Sequence, residues 1–191
     1  MPRYDRVAML LHWMIALAVC AQAALGVWML GVPKEPGGVR AGWFNLHKSI
    51  GITLGVLVLA RLAWRLLHRP PPLPASMPAW QQRAARWNHS ALYACLFAMP
   101  ASGYLGSAFS GYPVKYFGHA LPAWSPALPW AKELMSAVHL SAALVLALLV
   151  ALHVAAALKH LRAGDGVFRR MWPSGSPRPR DARLPGYRRA S

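Results

Sequence analysis

The chain has 191 residues, of which 56% are hydrophobic and only 14% charged, with a mean hydropathy of +0.30. A soluble domain carries about 25% charged residues, so this balance excludes an ordinary water-soluble enzyme and leaves no room for a separate soluble catalytic domain. A net charge of +16 invites a nucleic-acid reading, but the Lys and Arg residues are segregated by loop rather than gathered on one surface, which argues against nucleic acid as a partner.

Four runs rich in Leu, Val and Ala are long enough for transmembrane helices, which need about 20 apolar residues. They cover roughly residues 8–30, 43–67, 87–109 and 133–161. The expected fold is all-α: an integral membrane four-helix bundle over residues 1–172, followed by a basic Pro/Gly/Ser-rich tail, 173–191, expected to be disordered. Met1-Pro-Arg-Tyr-Asp-Arg before the first run has the outline of a signal peptide, but the run is too long for one and contains His12-Trp13. A Gly/Pro turn follows span one. Span two ends in Arg61, Arg65 and Arg69, which can snorkel to the interface. Pro70-Pro-Pro-Leu-Pro reads as a stiff connector. Span three holds Pro100, Gly103 and Gly106, which predict a kink or loosened turn. The connection from 110 to 130 is rich in Tyr, Trp and Pro, suited to a membrane interface.

Of the 21 Lys and Arg, only Lys34, Arg40, Lys48, Lys115 and Lys132 lie around the first and third connections. The rest sit at the N-terminus, around the middle connection or after span four. The positive-inside rule then puts both termini and the middle loop in the cytoplasm, with the basic face resting on anionic lipid. Cys20 and Cys95 lie in apolar runs, form no Cys-x-x-Cys, and read as small packing residues.

His139 and His153 stand 14 residues apart on one apolar run. On a helix that is about 21 Å and nearly four turns, so both face nearly the same side. Polar side chains at membrane depth are costly and mark function by default. The topology gives each histidine a depth. His47 matches His139 in the outer half, and His12 matches His153 in the inner half. Two imidazoles at one level, from different helices, are what a six-coordinate haem iron needs along its axis. The residue four positions on from each is small: Ala16, Gly51, Ala143 and Ala157. A porphyrin edge lying against the helix needs a small neighbour there. Tyr93 occupies that position for His89.

His89 lies at the inner depth and competes with His12; otherwise it could bond a haem propionate or a quinone carbonyl. His160, with His89, is placed to serve a quinone or the surroundings of the inner haem. His68 and His119 need no special account at an interface and in a loop. The bland reading of the four favoured histidines is interhelical hydrogen bonding or a proton path. Arg61 and Arg65 share a face; they anchor the membrane edge or pair with haem propionates, for which the guanidinium fork is suited. Gly51-Ile-Thr-Leu-Gly55 is a Gly-x-x-x-Gly motif, which marks close helix approach or a face that accepts the porphyrin.

With Arg-Val-Ala-Met-Leu-Leu-His12-Trp13, Leu46-His47-Lys48-Ser-Ile-Gly51, Val138-His139-Leu and Leu-His153-Val-Ala-Ala-Ala-Leu-Lys-His160, the chain resembles the bacterial cytochrome b561 family over about residues 3–172, including the Pro-rich inner loop and the Met171-Trp-Pro finish. The resemblance implies a four-helix cytoplasmic-membrane cytochrome with two b haems. It puts the iron ligands at His12, His47, His139 and His153. It also implies exchange of electrons with ubiquinone, and in some members oxidation of superoxide at the outer face. It extends to the b-type subunits of membrane hydrogenases and formate dehydrogenases, which take electrons from a periplasmic redox protein. Whether the chain is a pure carrier or an oxidoreductase, and whether it forms a homodimer, is left open by the sequence. A different class, a transporter whose histidines bind ions or protons, is disfavoured because all five acidic residues lie at span ends or in loops.

Overall fold

The computed structural model describes residues 2–35 and 38–172; the expected disordered tail lies outside the described residues. Four long helices account for most of it: α1 (Arg6–Leu30), α2 (Val39–Leu67), α3 (Ala79–Ala108) and α4 (Pro129–Ala163). Each apolar run of the sequence lies almost wholly within one of them. The helices begin two to eight residues earlier than the runs, because a helix extends past its apolar stretch into polar interfacial residues. α3 is the extreme case. Its first turns carry Gln81, Gln82, Arg83 and Arg86, so the helix starts well before the apolar run at Trp87. The same residues dilute its hydropathy: α1, α2 and α4 are long and apolar enough to cross a membrane, and α3, at 30 residues, is long enough but more polar.

Asp5 caps α1, its carboxylate accepting the Ala8 N–H at 2.8 Å and the Trp64 indole N–H of α2 at 3.0 Å. α4 ends at Gly164, whose φ of 64° is the left-handed conformation that closes a helix. Pro100 lies inside α3 without ending it. Its ring rests on Gly55 of α2, where an added Cβ would come within 3.2 Å of the Pro100 Cβ. Gly51 similarly faces the Gln22 side chain of α1. The Gly-x-x-x-Gly face therefore serves close helix approach, and the side chains of α1 and α3 cover it.

Helix α2 packs against α1 and α3, and α3 against α4, while α1 and α4 make no close backbone approach. The core sits between α1, α2 and α3 at Ile15, Leu54 and Val58, flanked by Val19, Ile50, Tyr93, Leu96 and Phe97. Elsewhere the apolar side chains point outward: Leu17, Val27, Leu66 and Leu144 are each about two-thirds exposed or more. In water such a surface would be a large apolar patch; on helices of this length it is a lipid-facing one. Cys20 and Cys95 are both free, Cys20 on that exposed surface.

The connection between α3 and α4 is more ordered than its composition suggests. Lys115–Tyr116 and His119–Ala120 form a two-stranded antiparallel hairpin, β1 and β2, pairing Tyr116 with His119. Its two-residue turn has positive φ at both Phe117 (46°) and Gly118 (91°), the backbone that a tight hairpin demands. The hairpin is pinned to α2. Ser49, 1% exposed, accepts the Phe117 N–H at 2.8 Å, and the Thr53 and Tyr116 hydroxyls meet at 3.1 Å.

Candidate functional site

The favoured histidines meet across the gap that separates α4 from α1 and α2. His47 of α2 faces His139 of α4 with ring centroids 6.2 Å apart and planes at 76°. His12 of α1 faces His153 of α4 at 6.1 Å and 72°. An imidazole nitrogen sits about 2.0 Å from a first-row metal and about 1.1 Å from its ring centre, so two imidazoles on opposite sides of one ion have centroids about 6 Å apart. Both pairs have that spacing. Each supplies two donors. Among the described residues, no group of three or more His, Cys, Asp or Glu side chains is gathered to hold a bare metal ion. Two opposed imidazoles are the axial set that a porphyrin-held iron lacks, so the residues present fit a haem.

The pair His47 and His139, the outer one in the expected topology, is closely surrounded. His139 Nδ1 lies 3.0 Å from the Met99 carbonyl and 3.2 Å from the Ser102 hydroxyl, both on α3. A carbonyl can only accept, so Nδ1 carries the proton and Nε2 is left as the free donor to a metal. Gly103 makes room for this ring: a Cβ there would come 3.2 Å from His139 Cε1. Gly26 of α1 does the same for His47, at 3.4 Å from Cε1. The buried Gln22 amide donates to the His47 carbonyl at 2.7 Å, which ties α1 to α2 at this level. His47 Nδ1 is buried without a hydrogen-bond partner among the described residues.

At the inner level three imidazoles gather rather than two. His89 of α3 stands 5.3 Å from His153, edge-on at 66°, closer than two ligands across one ion. Arg61 lies within electrostatic reach of His12, His89 and His153 and donates to the Ala8 carbonyl at 2.9 Å. Arg65 lies over the Tyr93 ring at 5.9 Å. Both arginines line a crevice of about 20 Å³, room for a water, with Trp64, His68 and Tyr93, and the Tyr93 hydroxyl is buried without a partner among the described residues. His160 is drawn elsewhere. Its Nδ1 meets Asp165 at 2.5 Å beyond the end of α4. The Asp165 carboxyl is slightly raised by burial, but hydrogen bonds from the His160 ring and the Val167 N–H outweigh that and hold it below the ordinary carboxylate range. His68 stacks on Trp64 at 3.9 Å, and His119 is exposed on β2.

Sequence reasoning finds the four histidines from spacing and depth. It misses Gly26, Gly103, Ser102 and Met99, which act across helices and leave no pattern along one. It also misses Arg170, buried in the short turn after α4. In the sequence it is the second of two arginines before Met171-Trp172, with nothing to mark it as the buried one.

Paired histidines between long apolar helices define a membrane protein built to hold b-type haem. The chain matches the prokaryotic cytochrome b561 family over residues 3–174, nearly its whole length, and belongs to that family. It is 37% identical over 164 residues to cytochrome b561 homolog 2 of Escherichia coli (strain K12), covering 83% of this chain and 84% of that one. It is 28% identical over 174 residues to cytochrome b561 homolog 1 of the same organism, covering 91% and 98%. Membership makes this a membrane b-type cytochrome, with electron transfer as the implied activity.

Proposed function

We propose that the protein carries two b haems, one held by His12 and His153 and the other by His47 and His139, and passes electrons across the bacterial inner membrane between an outer-face donor and ubiquinone. The observation that carries this reading is the repeated spacing of 6.1 and 6.2 Å in two pairs that share α4. Its ligands 14 residues apart put the two levels about 21 Å apart along that helix. A b haem with both axial positions filled supplies one-electron chemistry with no open coordination site. The chain's own residues do the rest. Met99 fixes the tautomer of His139, Gly26 and Gly103 seat the outer rings, and Arg61 offers a cationic fork for a propionate at the inner level.

In this reading α3 is a fourth span, and both termini and the middle connection face the cytoplasm. Near the inner pair, Arg65 and the Tyr93 hydroxyl are the donors offered to a quinone carbonyl. His160, engaged with Asp165, is not assigned a part in it. At the outer mouth a small anion such as superoxide is the donor, drawn by the basic residues there.

The test is a redox-titrated visible spectrum of the purified protein with a haem assay per chain. Two haems with two resolved midpoints are expected. A colourless protein, or a single haem, would end the two-haem reading. Reporter fusions in the α1–α2 connection and after Ala120 should report outside.

A further inference from the structure

The segment after α4 is tied to the N-terminal residues and the α2–α3 connector by one buried cation. Arg170 is 4% exposed. Its Nη2 donates to the Pro71 and Pro72 carbonyls at 2.8 and 2.9 Å, and its Nε to the Pro2 carbonyl at 3.2 Å. Its own carbonyl accepts the Tyr4 N–H at 3.2 Å, and its guanidinium lies over the Tyr4 ring at 5.7 Å. Three segments far apart in sequence meet on this side chain: the residues before α1, the proline connector between α2 and α3, and the 3-10 turn Phe168–Arg170. The prolines explain the acceptors. They have no N–H, and extended polyproline makes no internal bonds, so its carbonyls are free. Among the described residues no carboxylate pairs with Arg170. A buried charge without a counter-ion is costly unless its donors are met, and the guanidinium meets them from two nitrogens set apart, Nη2 on the connector and Nε on Pro2, where a lysine has one.

The next two residues carry this clasp to the inner site. The Met171 carbonyl accepts the Trp13 indole N–H at 2.8 Å. The Trp172 ring stands edge-on to Trp13 at 5.6 Å and 89°, and its carbonyl accepts from the Arg3 guanidinium. Trp13 in turn stands edge-on to His12 at 5.5 Å. A continuous path of contacts therefore runs from Arg170 to the His12 ring.

We propose that Arg170 is a positioning residue for the inner site: it holds residues 168–172 against Trp13, which fixes the His12 ring opposite His153 and closes the cytoplasmic end of that site. This rests on the two-haem reading above. A merely structural staple would lower stability and leave both haem sites alike; a positioning residue alters the inner one alone.

The experiment compares the full-length protein with Arg170→Met, Arg170→Lys and Trp172→Ala. It records the low-spin electron paramagnetic resonance of the oxidised form and the carbon monoxide difference spectrum of the reduced form. Neither wild-type haem should bind carbon monoxide. In Arg170→Met one of the two haems should become reactive and its low-spin signal should broaden or vanish, while the outer signal is unchanged. Arg170→Lys, which keeps the charge and loses the fork, should fall between. Trp172→Ala carries the same expectation should Arg170→Met not accumulate. Variants with both signals intact and no carbon monoxide band, or with both signals lost equally, overturn the role of Arg170. A wild type without two haems overturns the underlying reading instead.

Discussion

His139 Nδ1 lies 3.0 Å from the main-chain oxygen of Met99, across the interface of α3 and α4. That contact fixes which nitrogen of the ring is free, and Gly103, one turn further along α3, leaves the space in which the ring sits. The pair makes two separable predictions about the outer haem.

Replacing Gly103 with Leu should abolish the outer haem, because even a bare Cβ would come within 3.3 Å of two ring atoms of His139 and a branched side chain has nowhere to go. Ser102→Ala should keep the haem, since the Met99 carbonyl still holds Nδ1, and should shift only its midpoint potential. Haem content per chain and potentiometric titration decide this. Full haem content in Gly103→Leu would mean that His139 does not sit at the outer site as described.

At the inner level, His12→Ala should lose one haem and His89→Ala should keep both. The His12–His153 separation of 6.1 Å matches two ligands across one ion, whereas His89 at 5.3 Å from His153 is too close to the same ring. The measurement is again haem per chain, with His153→Ala as the control that removes the inner haem under either assignment. The reverse result would make α3 the source of the inner ligand.

Much of this arrangement is legible in the sequence because a membrane simplifies the code. Apolar runs mark the long helices, and two histidines 14 residues apart on one run must share a face. The rest is hidden for physical reasons. The start of α3 is masked by interfacial polar residues that extend a helix without looking like a span. The hairpin has strands of two residues, too short for an alternating pattern, and puts Phe117 at a positive φ where Asn, Asp or Gly is the usual signal. Of the small residues four positions after each histidine, Gly51 faces the Gln22 side chain rather than a ring. The glycines against the rings are Gly26 and Gly103, on neighbouring helices, and no intrahelical spacing predicts a partner across an interface. The Arg170 clasp depends on where free proline carbonyls end up in space.

Asp5 gives a stability prediction with a definite sign. Partial burial raises its carboxyl, but the Ala8 N–H and the Trp64 indole outweigh this and hold it below the ordinary value of 3.8. The native state therefore binds fewer protons than the unfolded state in the acid range. The stabilisation is present above the unfolded value and is lost as pH falls through the lowered native one. Asp5→Asn keeps a capping side chain and removes the titration, so its thermal stability in detergent should vary less with pH in that window. Asp5→Ala should cost about 0.5–2 kcal/mol at neutral pH through loss of the cap. Equal acid sensitivity of wild type and Asp5→Asn would assign the pH response to other groups.

The last prediction concerns the outer mouth and the two lysines placed beside its histidine pair. Of the five basic residues on that side, Arg40 donates to the Val32 carbonyl at 2.8 Å and lies over the Phe44 ring. Lys132 is paired with Glu133 at 3.0 Å, which cancels its field at a distance. Lys34 lies in the α1–α2 connection. Lys48 directly follows His47, and Lys115 opens the hairpin pinned at Ser49, so these two flank the outer pair. If a small anion is the donor, its capture depends on their charge and weakens with salt. Stopped-flow reduction of the oxidised protein by superoxide should slow in Lys48→Gln and in Lys115→Gln, slow further in the double variant, and fall as ionic strength rises. Arg40→Gln should do less, because Arg40 stands seven residues from His47, about 10 Å along α2. A rate indifferent to salt and to both lysines would remove the steering role, and reduction only in the presence of a periplasmic redox protein would show that the outer face receives a protein donor.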